Sequence, residues 1–273
     1  AWTAVPHDTI PVGAKVITST WAMMKKKSNG VHRARINARG CEQIDGEHHK
    51  EDNKAAPVVN DTTFHVLLML MLMAGWCAEV LDVKGAFLHG LFEDGEEIYM
   101  EVPEGFERHC NRGYVLLLLR TLYGLKQSAH AFWKQLLKAL KSMGHKRSKA
   151  APCLCYAWAD SGLVMWTSWV DDCLVVGKRE AVMKAKQQMK DRFDLDDVGE
   201  LKECVGCKVD VEVEDRSVAA TQPVLPQSFE DEFELDEGAF PRTPAIAGDV
   251  LVRGEVKNQM PAPEQKWCRS GVG

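Results

Sequence analysis

The stretch Trp169-Val170-Asp171-Asp172 constrains this chain more than any other. It stands between Leu163-Val164-Met165-Trp166-Thr167-Ser168 and Cys173-Leu174-Val175-Val176-Gly177, two runs rich in β-branched and aromatic residues. The pattern predicts a β-hairpin with both carboxylates at its tip. Adjacent acids in an otherwise apolar hairpin repel one another and must be desolvated together unless a cation or strongly solvating water compensates them. A divalent metal is the natural partner, and an exposed Asp-Asp turn is the plain alternative.

A net charge of −5 argues against holding nucleic acid by global charge, but the charge is unevenly spread. Residues 1–40 carry seven basic side chains and one acid, whereas residues 191–240 carry sixteen acids and four bases. A basic front segment permits a local polyanion site on a mildly acidic protein. The nine cysteines form an odd count, and residues 1–20 lack an apolar core behind a basic start. Both features predict reduced thiols in an intracellular protein. Cys153-Leu154-Cys155 and Cys204-Val205-Gly206-Cys207 lack the spacing of a zinc site and read as small buried hydrophobes. The longest apolar run, 66–74, is too short to span a bilayer.

Along the chain, residues 2–11 have turn and loop character and 12–24 alternate as strands. Lys25 to Gly30 predicts a hairpin turn with Asn29-Gly30 at its apex, and the returning strand 31–37 puts Arg33 and Arg35 on one face. That face is either solvated or a clamp on phosphates. Residues 41–54 read as a polar loop in which His48 and His49 are solvated. Asp61-Thr62-Thr63 caps a buried helix over 64–76. A strand over 79–83 ends on Leu81-Asp82-Val83-Lys84-Gly85-Ala86-Phe87-Leu88-His89-Gly90, where Asp82 becomes a third candidate metal ligand. Residues 93–102 read as acidic and solvent-facing, and 114–119 as an apolar strand. The turn 122–127 leads into a helix over 128–143 with Ala131, Phe132, Leu136 and Leu140 inward. Lys126, at the start of that helix, suits a phosphate, since N-terminal amides already favour anions. A basic amphipathic helix over 179–193, a strand over 201–213 and a short helix near 228–235 follow.

The order of these motifs resembles the reverse transcriptase of Ty1/copia-type long-terminal-repeat retrotransposons over nearly the whole chain. The stretches that carry the resemblance are Arg33-Ala34-Arg35-Ile36-Asn37-Ala38-Arg39-Gly40, Ala56-Pro57-Val58-Val59, the Leu81 to Gly90 run, Glu97-Ile98-Tyr99-Met100, Pro103-Glu104-Gly105-Phe106, Leu122-Tyr123-Gly124-Leu125-Lys126-Gln127 and Val170-Asp171-Asp172, with Thr221-Gln222-Pro223-Val224-Leu225 and Thr243-Pro244 toward the end. The resemblance implies an α+β right-hand polymerase whose antiparallel palm sheet is backed by helices. Residues 1–76 would form the first part of the fingers and the helix leading into the palm, 77–92 the first catalytic strand of the palm, and 93–127 the second part of the fingers. Residues 128–220 would hold the catalytic hairpin and primer grip, and 221–273 a partial thumb leading toward a downstream ribonuclease H domain.

The implied activity is RNA-directed DNA polymerisation, the transfer of a nucleotide from a dNTP to a primer 3′-hydroxyl on an RNA or DNA template. Asp82, Asp171 and Asp172 would hold two Mg²⁺ ions, with Mn²⁺ as a substitute and Asp172 the more peripheral ligand. Phe87 would pack under the incoming sugar and select deoxynucleotides. Arg33, Arg35 and Arg39 would bind triphosphate or template backbone, Tyr123, Gly124 and Lys126 would line the nucleotide pocket, and Val205 and Gly206 would grip the primer. Partners would be the RNA template, the DNA primer, dNTP, and the protease, integrase and ribonuclease H domains of one polyprotein, with no membrane; the family works in cytoplasmic virus-like particles.

The chain departs from the family at several positions. Trp169 replaces a Tyr, Cys41 and Cys268 replace aromatics, His49 a Tyr, Ser128 a Pro and His130 a basic residue, and Cys207-Lys208 stands where an apolar residue and an acid are usual. Each lost buried ring costs on the order of 2–4 kcal/mol if nothing repacks. Two other readings therefore stand beside the polymerase: a catalytically silent fold kept for nucleic-acid or protein binding, and a metal-dependent phosphoesterase using the same acids.

Overall fold

The computed structural model describes residues 2–25, 30–49, 55–204, 206–212 and 215–233. In chain order the elements are β1 (Trp2–Pro6), β2 (Val16–Ile17), β3 (Ser19–Lys25), β4 (His32–Ala38), α1 (Asp61–Ala74), β5 (Cys77–Val83), β6 (Tyr99–Met100) and β7 (Tyr114–Leu118). They continue with α2 (Ser128–Ser142), β8 (Lys146–Arg147), β9 (Cys155–Ala159), β10 (Gly162–Trp169), β11 (Asp172–Gly177), α3 (Arg179–Lys190), β12 (Leu195–Glu200), β13 (Glu203–Cys204), β14 (Cys207–Glu212), β15 (Ser217–Thr221) and α4 (Val224–Phe233). The chain falls into two compact units, the second made of Gly206–Lys208 and the residues from Ala220 onward.

A six-stranded antiparallel sheet, in the order β12-β5-β11-β10-β9-β8, organises the first unit. Its side chains alternate between two cores, as the period of two of a strand demands. Leu81, Val83, Cys173 and Val175 pack on one face with Phe132, Leu136 and Leu140 of α2 and Val182, Ala185 and Met189 of α3. Ala78, Val80, Leu174 and Val176 pack on the other with Leu67, Leu68 and Met71 of α1. The architecture is therefore α+β, an antiparallel sheet backed by helices. A four-stranded sheet, β1-β7-β6-β2, carries its own core around Ile17, Ile98, Met100 and Leu116. The hairpin β3-β4 and the small sheet β13-β14-β15 complete the strands.

Several expectations change. Residues 2–6 are a strand, because β1 gains a full antiparallel ladder along β7. Residues 98–100 are buried within the four-stranded sheet instead of facing solvent. The helix α1 begins earlier than expected: the side chain of Asn60 accepts a hydrogen bond from Thr63 N, and Gly75 ends the helix with φ of 61°. Only one stripe of α1 is covered, so Val66, Met69, Leu70 and Met73 stay exposed. The strand expected over 201–213 breaks into β13 and β14, with Gly206 (φ 72°) between them. His48 and His49 are buried, not solvated. Nδ1 of His48 accepts from Ile44 N, and Gln127 Nε2 donates to His48 O at 2.8 Å, folding this loop against the start of α2. The turn over 26–29, Val205, Thr243-Pro244, Cys268 and most of the expected thumb lie outside the described residues.

Candidate active site

The alternation of β5 explains where Asp82 stands. It continues the Ala78, Val80 row that faces α1, one step beyond the point where that core ends. Asp172 likewise continues the row of Leu174 and Val176 on β11. The ladder sets Asp172 directly opposite Asp82, and on the other side of β5 it sets Asp196 of β12 opposite the same residue. Directly opposed residues share a face, with Cβ atoms about 4.5–5.5 Å apart. Three adjacent strands thus line up Asp172, Asp82 and Asp196. Asp196 was not singled out in the sequence, where it is one member of the acidic run Asp194-Leu195-Asp196-Asp197; only the register reveals it. Lys84 Nζ lies 2.9 Å from Asp196 Oδ1 and 3.3 Å from Asp194 Oδ1, capping that end of the row with a cation.

The hairpin tip is a two-residue turn, since Trp169 pairs with Asp172 and leaves Val170 and Asp171 between them. Val170 has φ of 55°, a left-handed conformation normally left to Gly, which on a β-branched residue costs on the order of 1–3 kcal/mol. The turn is held from outside: Val83 N donates to Asp171 O at 3.0 Å, tying the tip to the end of β5. Ser168 O, on the adjacent strand end, accepts from Val59 N. All three acids of the sequence reading are half-buried.

Crowding shows in the electrostatics. Burial, then the charges on Asp171 and Asp196, raise the Asp82 carboxyl above its ordinary pKa, against the pull of Arg33 and Arg35. Burial, then Asp171, Asp82 and Glu203, raise Asp172 in the same way. Such a set asks for a cation.

A second cluster comes from the front of the chain. The Arg35 guanidinium lies 5.0 Å from the centre of the Tyr123 ring, and Tyr123 meets Phe87 edge-on at 4.9 Å. The contact joins the β3-β4 hairpin to the turn after Asp82. Backbone contact makes the junction possible: Ala38 N donates to Tyr123 O at 2.8 Å, a Cβ on Gly124 (φ 89°) would strike Ala38 O, and one on Gly40 would strike Gly124 O. Thr121 Oγ1 donates to Phe87 O, fixing the turn that carries the ring. Buried amides that the sequence did not flag close the base, with Gln43 Nε2 donating to Gln127 Oε1 and Lys126 N to Gln43 Oε1.

The structure therefore brings Asp82, Asp171, Asp172, Arg33, Arg35, Phe87, Tyr123 and Gly124 into one neighbourhood. Arg39 turns to Glu42, 3.7 Å away, and Lys126 Nζ to Asp45 Oδ1 at 2.9 Å. Gly206 belongs to the second unit. Hard carboxylate oxygens are the donors Mg²⁺ prefers. Among the described residues no three acidic, His or Cys side chains converge as a metal-binding group, so Asp82, Asp172 and Asp196 form a row of carboxylates along the sheet and not a gathered ligand set.

The chain matches the family described as reverse transcriptase (RNA-dependent DNA polymerase) over residues 1–244. It is 31% identical over 247 residues to the retrovirus-related Pol polyprotein from transposon TNT 1-94 of Nicotiana tabacum, covering 88% of this chain and 18% of the relative. It is 27% identical over 196 residues to the transposon Ty1-LR2 Gag-Pol polyprotein of Saccharomyces cerevisiae, covering 69% of this chain and 10% of the relative. A solved foamy viral protease-reverse transcriptase in complex with double-stranded DNA matches 68% of this chain and 25% of its own length at 12% identity, with a TM-score of 0.31. The chain thus spans less than a fifth of the polyproteins it matches. With the family match covering both the carboxylate row and the Arg35–Tyr123–Phe87 junction, the chain belongs to the reverse transcriptase family, in the branch of Ty1/copia-type retrotransposon Pol polyproteins.

Proposed function

We propose that this chain is the polymerase portion of a retrotransposon Pol polyprotein and adds deoxynucleotides to a primer 3′-hydroxyl on an RNA or DNA template. The observation that carries the reading is the register that lines Asp82 and Asp172 on one face beside Asp171. In this reading Asp82 and Asp171 hold Mg²⁺ with Asp172 at the periphery, and Mn²⁺ can replace it. The ions, when bound, lower the pKa of the primer hydroxyl and stabilise the leaving pyrophosphate.

The protein's own part is position and charge. Arg33 and Arg35 meet the triphosphate or the template backbone, and their charge already reaches Asp82. Tyr123 meets both Arg35 and Phe87, and in this reading the Phe87 ring so held packs under the incoming sugar, where a 2′-hydroxyl would collide with it. Gly206 and Val205 grip the primer. The six-stranded sheet with α2 and α3 is the palm, the hairpin β3-β4 belongs to the fingers, and residues from 221 begin the thumb. Protease, integrase and ribonuclease H domains of the same polyprotein are the proposed partners, in a cytoplasmic particle. Among the described residues no helix is long and apolar enough to cross a membrane.

Three departures from the family are accommodated locally. Ser128 Oγ donates to Leu122 O, His130 Nδ1 lies 2.7 Å from Ala55 O, and Cys41 is exposed, so no ring is missing from a core there. The test is primer extension on a homopolymeric RNA template with Mg²⁺ or Mn²⁺. Extension by the parent protein and its loss in Asp171→Asn is the expected result. Retained incorporation in Asp171→Asn removes the ligand assignment, and template binding without extension by the parent leaves a silent binding fold.

A further inference from the structure

Away from the carboxylates, a surface cavity of about 340 Å³ opens between α2, the turn Ala86–His89 and the end of α3, lined by His89, Arg120, Lys138, Ser142, Arg192 and Phe193. Three of these are permanent cations, and no carboxylate lines the cavity. Some cations are tied to acids, Lys84 to Asp194 and Asp196, Lys126 to Asp45, Lys134 to Glu93, Arg179 to Glu200, and Lys186 and Lys190 to Asp197, while others stand singly on the surface; what sets this hollow apart is that three cations share it. Arg120 and Lys138 have no such partner among the described residues and are exposed. Arg192 is held in place instead, donating from Nε to Ser142 Oγ at 3.3 Å and from Nη1 to Gln188 O at 2.6 Å. Gathering unpaired like charges around a hollow is unfavourable unless an anion visits it.

We propose that this cavity binds phosphate groups, and that the sugar-phosphate backbone of a single-stranded nucleic acid is their source. Guanidinium groups offer paired donors to phosphate oxygens, and an Arg192 held by two hydrogen bonds beside two exposed cations without acidic partners gives one oriented contact and two further charges. The apolar floor is Phe193, which meets the His89 ring edge-on at 5.2 Å and packs with Phe132 of α2. His89 and Phe87 lie on the same short turn, Ala86–His89, so the cavity sits at the back of the element that carries the proposed sugar contact. The assignment stands on charge and shape and does not depend on the carboxylates being catalytic.

The experiment is fluorescence anisotropy of a labelled thymidine dodecamer with the whole chain in EDTA, titrated between about 50 and 200 mM KCl. Each lost phosphate contact to a single strand flattens the log–log salt slope by roughly 0.7, so Arg120→Gln/Lys138→Gln is expected to flatten it by about 1.4 and weaken binding roughly 10- to 30-fold near 0.1 M salt. Lys146→Gln/Lys149→Gln, which removes two exposed charges elsewhere, should leave the slope unchanged, and Lys138→Gln alone should show half the effect if the double variant folds poorly. Calorimetry with tripolyphosphate separates the sources. Loss of tripolyphosphate binding in the double variant, with dodecamer binding intact, keeps the phosphate site and makes a free polyphosphate its ligand. An unchanged response to both ligands, or an equal effect of the control pair, overturns the proposal. Because EDTA is present throughout, neither result bears on the metal site.

Discussion

Asp82→Asn keeps the shape of the side chain and removes its charge, which turns the crowding of the carboxylate row into a measurable quantity. Asp82 faces Asp172 on one side and Asp196 on the other. At about 5.5 Å two like charges repel by roughly 0.7 kcal/mol in water and about 3 kcal/mol at an effective dielectric of 20. The groups are half exposed, which favours the lower figure. Asp196 is further neutralised by Lys84, and Arg33 and Arg35 offset part of the rest. The surplus to be relieved is about 1 kcal/mol, made up of the burial of the charge, the repulsion of Asp171 and what remains of that of Asp196.

The sign follows from the raised carboxyl. A group whose folded pKa lies above its unfolded one contributes stability that is complete below the unfolded value and is lost as pH rises through the folded value. In EDTA at neutral pH the Asn variant is therefore expected to be the more stable protein by about 1 kcal/mol, a rise of roughly 2–4 °C in Tm. The difference should vanish on acidification below the ordinary aspartate range. Mg²⁺ or Mn²⁺ should reverse the order. An ion bound to the native set stabilises by about 2.7 kcal/mol at a hundredfold excess over its Kd, while the variant has lost a ligand. Urea and thermal melts followed by tryptophan fluorescence read both effects. A variant less stable than the parent in EDTA, or one that gains as much from Mn²⁺, would refute the reasoning.

Lys186 offers a contrasting case: its buried ammonium lies 2.6 Å from Glu79 Oε2 and 2.7 Å from Asp197 Oδ1, joining α3 to β5 and β12. Lys186→Met is expected to cost about 3 kcal/mol in urea unfolding, because it leaves the buried Glu79 with only the Arg179 guanidinium 3.8 Å from Oε1, and Glu79→Leu/Lys186→Met should recover most of it; a single-variant loss below about 1 kcal/mol would mean that Arg179 or water already compensates Glu79. Burial depresses the pKa of His145, against a smaller contribution from the Leu140 carbonyl, beside Trp166 at 6.3 Å. That stability is present above the ordinary histidine value and lost as pH falls through the depressed one, so His145→Leu should flatten the acid side of the Tm–pH curve below the ordinary histidine value. Val170→Gly should relieve the left-handed φ and, after the entropy cost of Gly in the unfolded chain, gain about 1 kcal/mol in chemical denaturation. A loss of stability there would show that the Val170 side chain repays its strain by packing.

What the sequence disclosed and what it hid divide along a physical line. The hairpin around Asp171 and Asp172 was legible because alternation over a few residues sets strand and face together, and the ladder from Trp169↔Asp172 to Val164↔Gly177 follows from it. The strand state of residues 2–6 is hidden, because its strand-favouring Trp2, Thr3 and Val5 make only a short run that ends on Pro6, and the ladder along β7 decides its state. The apolar α1 looked buried all round, yet burial depends on what lies opposite, and the sheet covers only the stripe of Leu67, Leu68 and Met71. His48 and His49 looked solvated because nothing near them in sequence announces Gln127. The same division runs through the site. The strand pattern supplies Asp82, and the resemblance Phe87 and Tyr123, but which of them touch, and that Asp196 stands beside Asp82, are facts of register and packing between separate elements. The resemblance makes Gly124 a residue lining the pocket, and the structure adds a reason of another kind: a Cβ at Gly124 would strike Ala38 O and one at Gly40 would strike Gly124 O, so only glycines at both positions let the basic hairpin reach the aromatic pair. A site assembled from such crossings is specified by sequence only jointly, so a copy can retain every carboxylate and still lose the geometry through a change at a glycine.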